Sequence, residues 1–140
     1  MSDFANYNDQ MIAEFRANAG VTGHFGSGLL LVHSVGAKSG VERVHPLAGI
    51  PDGDGWLIAA SKGGSDENPA WYHNLIANPD TVVEIPAGDH VETVPVRASE
   101  VPVSEHDEAW GKFTARSPGF ADYAEKTSRP RIPVVRLSRR

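Results

Sequence analysis

The chain has 140 residues, 40% hydrophobic and 22% charged, the balance of one soluble domain with an ordinary core. Its formal net charge of −5 argues against nucleic-acid binding, and the lack of cysteine excludes disulfides, thiolate metal centres and cysteine nucleophiles. No charged segment followed by an apolar one opens the chain, and the longest purely apolar run, 29–32, cannot span a bilayer, so a cytoplasmic protein is expected.

Phe4, Tyr7, Met11, Ile12 and Phe15 fall on one helical stripe, which predicts a helix over 3–18 with Asp3 as its cap and Gly20 as its end. The polar face carries Asp3, Asp9 and Glu14 against Arg16 alone, whereas membrane-surface helices bring cations there. Docking on the domain's own core or on a second subunit is favoured over peripheral membrane contact. Segments 28–35, 43–50 and 56–60 read as strands of an antiparallel meander, joined by the turns 36–40 and 51–55. Pro46 makes the second of them an edge or bulged strand.

A helix is expected over 68–77, with Pro69 at its first position and Asn78-Pro79 as its stop. Strands follow at 81–85 and 90–98, the second interrupted by Pro95. Ser104 and Asp107 read as a capping box opening a helix to about 116, and Ser117-Pro118 starts a short helix carrying Phe120 and Tyr123. A last strand covers 133–137, and Arg139-Arg140 reads as a solvated tail. The expected fold class is therefore α+β: about six mainly antiparallel strands closing toward a barrel, with inserted helices. No repeat or linker divides the chain, so 1–140 is read as one domain, an N-terminal helix over 1–20 and a barrel over 28–138.

Two glycine-flanked basic turns stand out. Lys38-Ser39-Gly40 with Arg43 offers backbone amides and two cations to a phosphate, and equally suits a solvated hairpin turn. Ser61-Lys62-Gly63-Gly64 leaves a strand just before the 68–77 helix; if both glycines take positive φ, Lys62 is held at the sheet rim beside a helix N-terminus. A plain surface loop is its alternative. The histidines at 24, 33, 45, 73, 90 and 106 form no metal-ligand spacing, and no GxSxG elbow makes a nucleophile of Ser34, Ser39 or Ser61. Tyr123 is the aromatic residue whose hydroxyl could reach a pocket.

Four ordered motifs go further. Gly36-x-Lys38-Ser39-Gly40-x-x-Arg43-x-x-Pro46-Leu47, Ala60-Ser61-Lys62-Gly63-Gly64, Asn68-Pro69-x-Trp71-Tyr72-x-Asn74-Leu75 and Asn78-Pro79 resemble the deazaflavin-dependent nitroreductase family from about residue 29 to 137. The resemblance implies a split β-barrel and the cofactor F420, with FMN as the alternative. It also implies hydride transfer to a small-molecule acceptor such as a quinone, an enone or a nitro compound. On that reading Ala37, Lys38, Ser39, Gly40 and Arg43 hold the phosphate and the oligoglutamate tail. Val44, His45, Pro46, Leu47 and Ala48, with Ala59, Ala60, Ser61 and Lys62, line the deazaflavin. Ala70, Trp71, Tyr72, His73 and Asn74 meet it from the helix side. Ser61 and Tyr123 are the implied catalytic pair, as donors toward the acceptor. The tyrosine some members carry after Pro-Leu is Ala48 here, and of a C-terminal tyrosine cluster only Tyr123 remains, beside Ser117 and Phe120. These departures favour quinones or conjugated carbonyls over nitroimidazoles. They also motivate an alternative, a non-catalytic F420- or fatty-acid-binding protein.

Overall fold

A computed structural model describes residues 3–23 and 26–140, residues 3–6 by their backbone alone. The Asp3 cap, the Phe4 side chain and His24 lie outside the described residues. Helix α1 spans Asp3–Ala17, and its stripe is used as the spacing predicts: Met11, Ile12 and Phe15 pack on Leu29, Leu31, Val44 and Val91. Phe15 is fully buried, a side chain whose removal from water stabilises by roughly 2–3 kcal/mol. Arg16 adds a two-pronged ion pair to Glu84 at 3.0 and 2.6 Å, pinning the helix to the sheet.

The strands are β1 (Leu29–Val35), β2 (Glu42–Ala48), β3 (Ile50–Asp52), β4 (Gly55–Ala59), β5 (Asp80–Pro86), β6 (Val91–Glu100) and β7 (Val134–Arg139). They form one antiparallel sheet in the order β2-β1-β5-β6-β7-β4-β3. Strands β2 and β3 are its two opposite edges, yet only Gly49 separates them in sequence. The sheet must therefore curl until its edges meet, which is the geometry of a split barrel. Gly49 has to be glycine at this seam, because a Cβ there would run into the Leu30 side chain.

The interior of the curl holds Leu30, Val32, Ile58, Val83, Val94, Val96, Val135 and Leu137, closed by Trp71 and Leu75 of helix α2 (Ala70–Ala77). Helices α3 (Val103–Arg116) and α4 (Gly119–Lys126) cover a second cluster around Leu57, Val101, Phe113 and Val134. Stacked and edge-on contacts among Trp110, Phe113, Phe120 and Tyr123, with centroids 5.2–6.0 Å apart, join these two helices.

Several local expectations are corrected. The 51–55 turn shrinks to Gly53-Asp54, because Ile50–Asp52 pairs with β4 as a seventh strand. The first three predicted strands are thus no meander; β4 lies between β3 and β7 at the far end of the sheet. Pro95 does not interrupt β6, since it pairs with Val82 just where β7 has ended and no second neighbour asks for its missing N–H. Pro69 is extended (φ −66°, ψ 155°) and caps α2 rather than opening it, and α3 starts after Pro102 with no capping bond from Ser104 or Asp107. Among the described residues no helix is long and apolar enough to cross a membrane.

Candidate active site

A cavity of about 570 Å³ opens where four elements converge. Strand β2 supplies His45, Pro46 and Leu47, and the end of β4 supplies Ala59. The following loop gives Ser61, Lys62 and Gly63, and the start of α2 gives Pro69, Ala70 and Trp71. Tyr123 of α4 and Asn8 of α1 complete the wall. Most of this surface is apolar or backbone, with the polar groups of His45, Ser61, Lys62, Tyr123 and Asn8 around it, the mixture of a small-molecule site.

The loop is shaped by three consecutive left-handed residues: Lys62 at φ 46°, Gly63 at φ 63° and Gly64 at φ 82°. Gly63 and Gly64 take the positive φ expected of them, and Lys62 shares it, which is uncommon for a residue with a side chain. The conformation is held from outside. Gly64 sits under α4 so closely that a Cβ would lie 3.1 Å from both Cα and O of Tyr123. Thr127 Oγ1 donates to the Ser65 carbonyl at 2.7 Å, and the Ser128 amide donates to Asp66 Oδ1 at 2.7 Å.

Arg129 is the centre of this arrangement. Its guanidinium donates to the carbonyls of Ala60 (2.9 Å) and Ser61 (2.8 Å), to Asn68 Oδ1 (2.6 Å) and to Thr127 Oγ1 (2.9 Å). One side chain thus ties the end of β4, the entry to α2 and the exit from α4. Lys62 stays at the rim, 3.8 Å from Glu67.

A second polar system lies behind the β2 wall. Ser34 is fully buried on β1, and its Oγ is 2.8 Å from His45 Nε2 and 3.4 Å from Asn74 Nδ2. The other end of that amide, Asn74 Oδ1, accepts from the Ala37 N–H at 3.0 Å. Burial lowers the His45 pKa to about 4, with help from the positive charge of Arg43 and from His33, so the ring is neutral at pH 7.

Nine of the residues named from sequence meet at the cavity: His45, Pro46, Leu47, Ala59, Ser61, Lys62, Ala70, Trp71 and Tyr123. Ala37, Lys38, Ser39, Gly40 and Arg43 lie apart at the β1–β2 end, all exposed. At about 3.3 Å per residue the start of β2 at Glu42 is roughly 10 Å along the strand from His45, and Arg43 roughly 7 Å. The turn's amides are partly used by the protein, Ala37 toward Asn74, Gly40 toward the Gly36 carbonyl and Val41 toward Ser39 Oγ. Lys38 and Arg43 make no ion pair or hydrogen bond with a described residue. Val44 packs toward α1, with Ala48 on the same pleat of β2, and Ala60 is fully buried. Tyr72 turns away to donate to Glu100; burial, followed by that bond, raises its pKa to about 12, and His73 stands edge-on to it at 5.2 Å on the exposed side. Asn74 faces Ser34 rather than the cavity.

Sequence reasoning missed Asn8, Ser34 and Arg129 in these roles. Asn8 lies on α1 near the predicted Met11–Phe15 stripe, and its placement required knowing how that helix docks. Arg129, between Ser128 and Pro130, carries no local signal of the carbonyls it meets.

The family model of the F420H(2)-dependent quinone reductases matches residues 7–138. The Mycobacterium tuberculosis F420H(2)-dependent quinone reductase Rv1261c (strain H37Rv) is 40% identical over 136 residues, covering 91% of this chain and 87% of its own. A solved F420-H2 dependent reductase, FDR-A, superposes with a TM-score of 0.66 at 34% identity over 79% of this chain and 94% of its own. A solved chain described as a domain-swapped dimer gives 0.68 at 32% identity, over 97% and 98%. At 17% identity and a TM-score of 0.62, the Vibrio cholerae heme protein HutZ shares the fold alone. With the match running from α1 through β7, this chain belongs to the F420H(2)-dependent quinone reductase family.

Proposed function

We propose that this protein uses reduced F420 to reduce a quinone, with the cofactor lying along β2 from the Lys38–Arg43 turn into the cavity. The observation that carries the reading is that β2 and the turn leading into it join two uncompensated cations, Lys38 and Arg43, to a largely apolar cavity of about 570 Å³. The residues fit that group. A planar heterocycle suits walls made of Pro46, Leu47, Ala59 and Ala70, and a phosphate with a polyanionic tail suits Lys38 and Arg43 beside the unused amides of Lys38 and Ser39. When bound, reduced F420 supplies the hydride; a proton from a donor or from water completes the hydroquinone.

The protein's own part is to position and to shield. Ser61 and Tyr123, both lining the cavity, are the donors we assign to the acceptor's developing oxyanion. Trp71 and Leu75 anchor α2 in the core and so hold Ala70 at the wall. Neither donor need be an essential acid, because a quinone oxygen can also be protonated from water. Nitro compounds are weaker candidates, since Tyr123 is the lone tyrosine among the residues lining the cavity.

Titration of the purified protein with F420 and FMN side by side tests the cofactor. Saturable micromolar binding of F420, weakened in Lys38→Ala, with F420H2 oxidation on adding menadione, is expected. Binding without turnover across quinones, enones and nitroarenes would instead mark a carrier protein.

A further inference from the structure

The Ser34–His45 contact has a direction. Asn74 Oδ1 is committed as acceptor to the Ala37 N–H at 3.0 Å, so the Asn74 amide nitrogen faces Ser34 as a donor, at 3.4 Å. The Ser34 hydroxyl is fully buried, and its proton needs an acceptor. His45 Nε2, 2.8 Å away, is the acceptor it meets. An Nε2 that accepts leaves the imidazole proton on Nδ1. His45 is also a wall residue of the cavity, beside Pro46 and Leu47.

We propose that the buried Asn74–Ser34 pair locks His45 as the Nδ1–H tautomer, making it a neutral hydrogen-bond donor to a ring carbonyl oxygen bound in the cavity. The inference rests on the functional reading above for the identity of the ligand, not for the tautomer. His45 is then a ligand-contacting residue, and Ser34 and Asn74 are positioning residues. Burial of the ring, then the charge of Arg43 on its own strand and the neighbouring His33 on β1, favour the neutral form that the lock requires, and Lys62 faces the same cavity. Asn74 also reaches the amide of Ala37, so the basic turn and the cavity wall share one linkage. The carbonyl belongs either to the deazaflavin or to the quinone.

Nitrogen-15 NMR of the imidazoles in the ligand-free protein tests the lock. The expected spectrum shows His45 protonated on Nδ1, with tautomer selection lost and the titration midpoint raised in Ser34→Ala. An Nε2–H tautomer, or one unchanged in Ser34→Ala, overturns the proposal. His45→Gln and His45→Met, matched in shape but differing in the donor, then locate the carbonyl. A Met variant about tenfold weaker than the Gln variant in F420 Kd assigns it to the cofactor. The same ratio in the KM for menadione, with Kd unchanged, assigns it to the quinone, and equality of both variants in both measurements refutes the donor role. Failure of the wild-type protein to bind F420 would remove the functional reading and the cofactor arm together, while the tautomer still decides the lock.

Discussion

Arg129→Met is the perturbation that most directly probes how the loop over the cavity is held. The substitution keeps much of the aliphatic packing but removes donors to the Ala60 and Ser61 carbonyls, Asn68 Oδ1 and Thr127 Oγ1. Hydrogen bonds from a charged donor contribute about 1.5–3 kcal/mol each, but four bonds from one group are not additive. Ser61, Asn68 and Thr127 are half-buried and can regain water, whereas Ala60 is fully buried and its carbonyl would be stranded at about 1–3 kcal/mol. The net loss expected is therefore about 3 kcal/mol, read as a lower urea midpoint at unchanged slope. Arg129→Lys, keeping one or two of the bonds, should recover about half. Because the same bonds place Ser61, kcat/KM for a quinone should fall in Arg129→Met under conditions where the variant is fully folded. A loss below about 1 kcal/mol, or lysine behaving like methionine, would show that the loop is held by other contacts.

Three further outcomes follow from the same structure. Gly64→Ala places a side chain at φ 82° and 3.1 Å from Tyr123, so it should cost roughly 2 kcal/mol in denaturant melts and raise the KM for quinone by displacing α4. The Glu84 carboxyl is held below its usual pKa first by its bond to Arg16. Its contribution is present above the unfolded carboxylate value and lost as pH falls through the lower folded value. Glu84→Gln should therefore be less stable than wild type at pH 7, by about 2 kcal/mol if one charge-assisted bond from Arg16 is lost, with the two curves converging in acid. His45 behaves in the same sense for the opposite reason: the fold resists charging it between 6.5 and about 4, so stability falls as pH drops through that window. With solvent screening allowed for, the loss is about 2 kcal/mol, and His45→Gln should flatten that part of the stability–pH profile.

The strand and helix pattern was legible because hydrophobic periodicity is local. The stripe on α1, the apolar run of β1 and the aromatics of α3 and α4 each declare the face they bury. What escaped is what depends on distant partners. The pairing of Ile50–Asp52 with β4 follows from the sheet's closure at Gly49, and a PDGDG segment read alone is simply a turn. Pro95 looks like a strand breaker until β7 is seen to end beside it. At the site, the motifs containing Lys38, Ser61 and Trp71 drew attention to both ends of β2 and α2. They could not tell His45, which faces the cavity, from Val44, which faces α1, without the register that sets Val32 opposite His45. Arg129 was invisible for the same reason: its partners lie 61–69 residues away, apart from Thr127.

Anaerobic stopped-flow with F420H2 and menadione measures the central claim most directly. Rapid, saturable loss of the reduced cofactor is expected only when protein and quinone are both present. The Kd for F420 should be at least tenfold weaker in Lys38→Ala, a variant altered only at an exposed turn residue and therefore folded as the wild type is. Binding of F420 that is indifferent to Lys38 and Arg43, or no oxidation with any quinone, would contradict it.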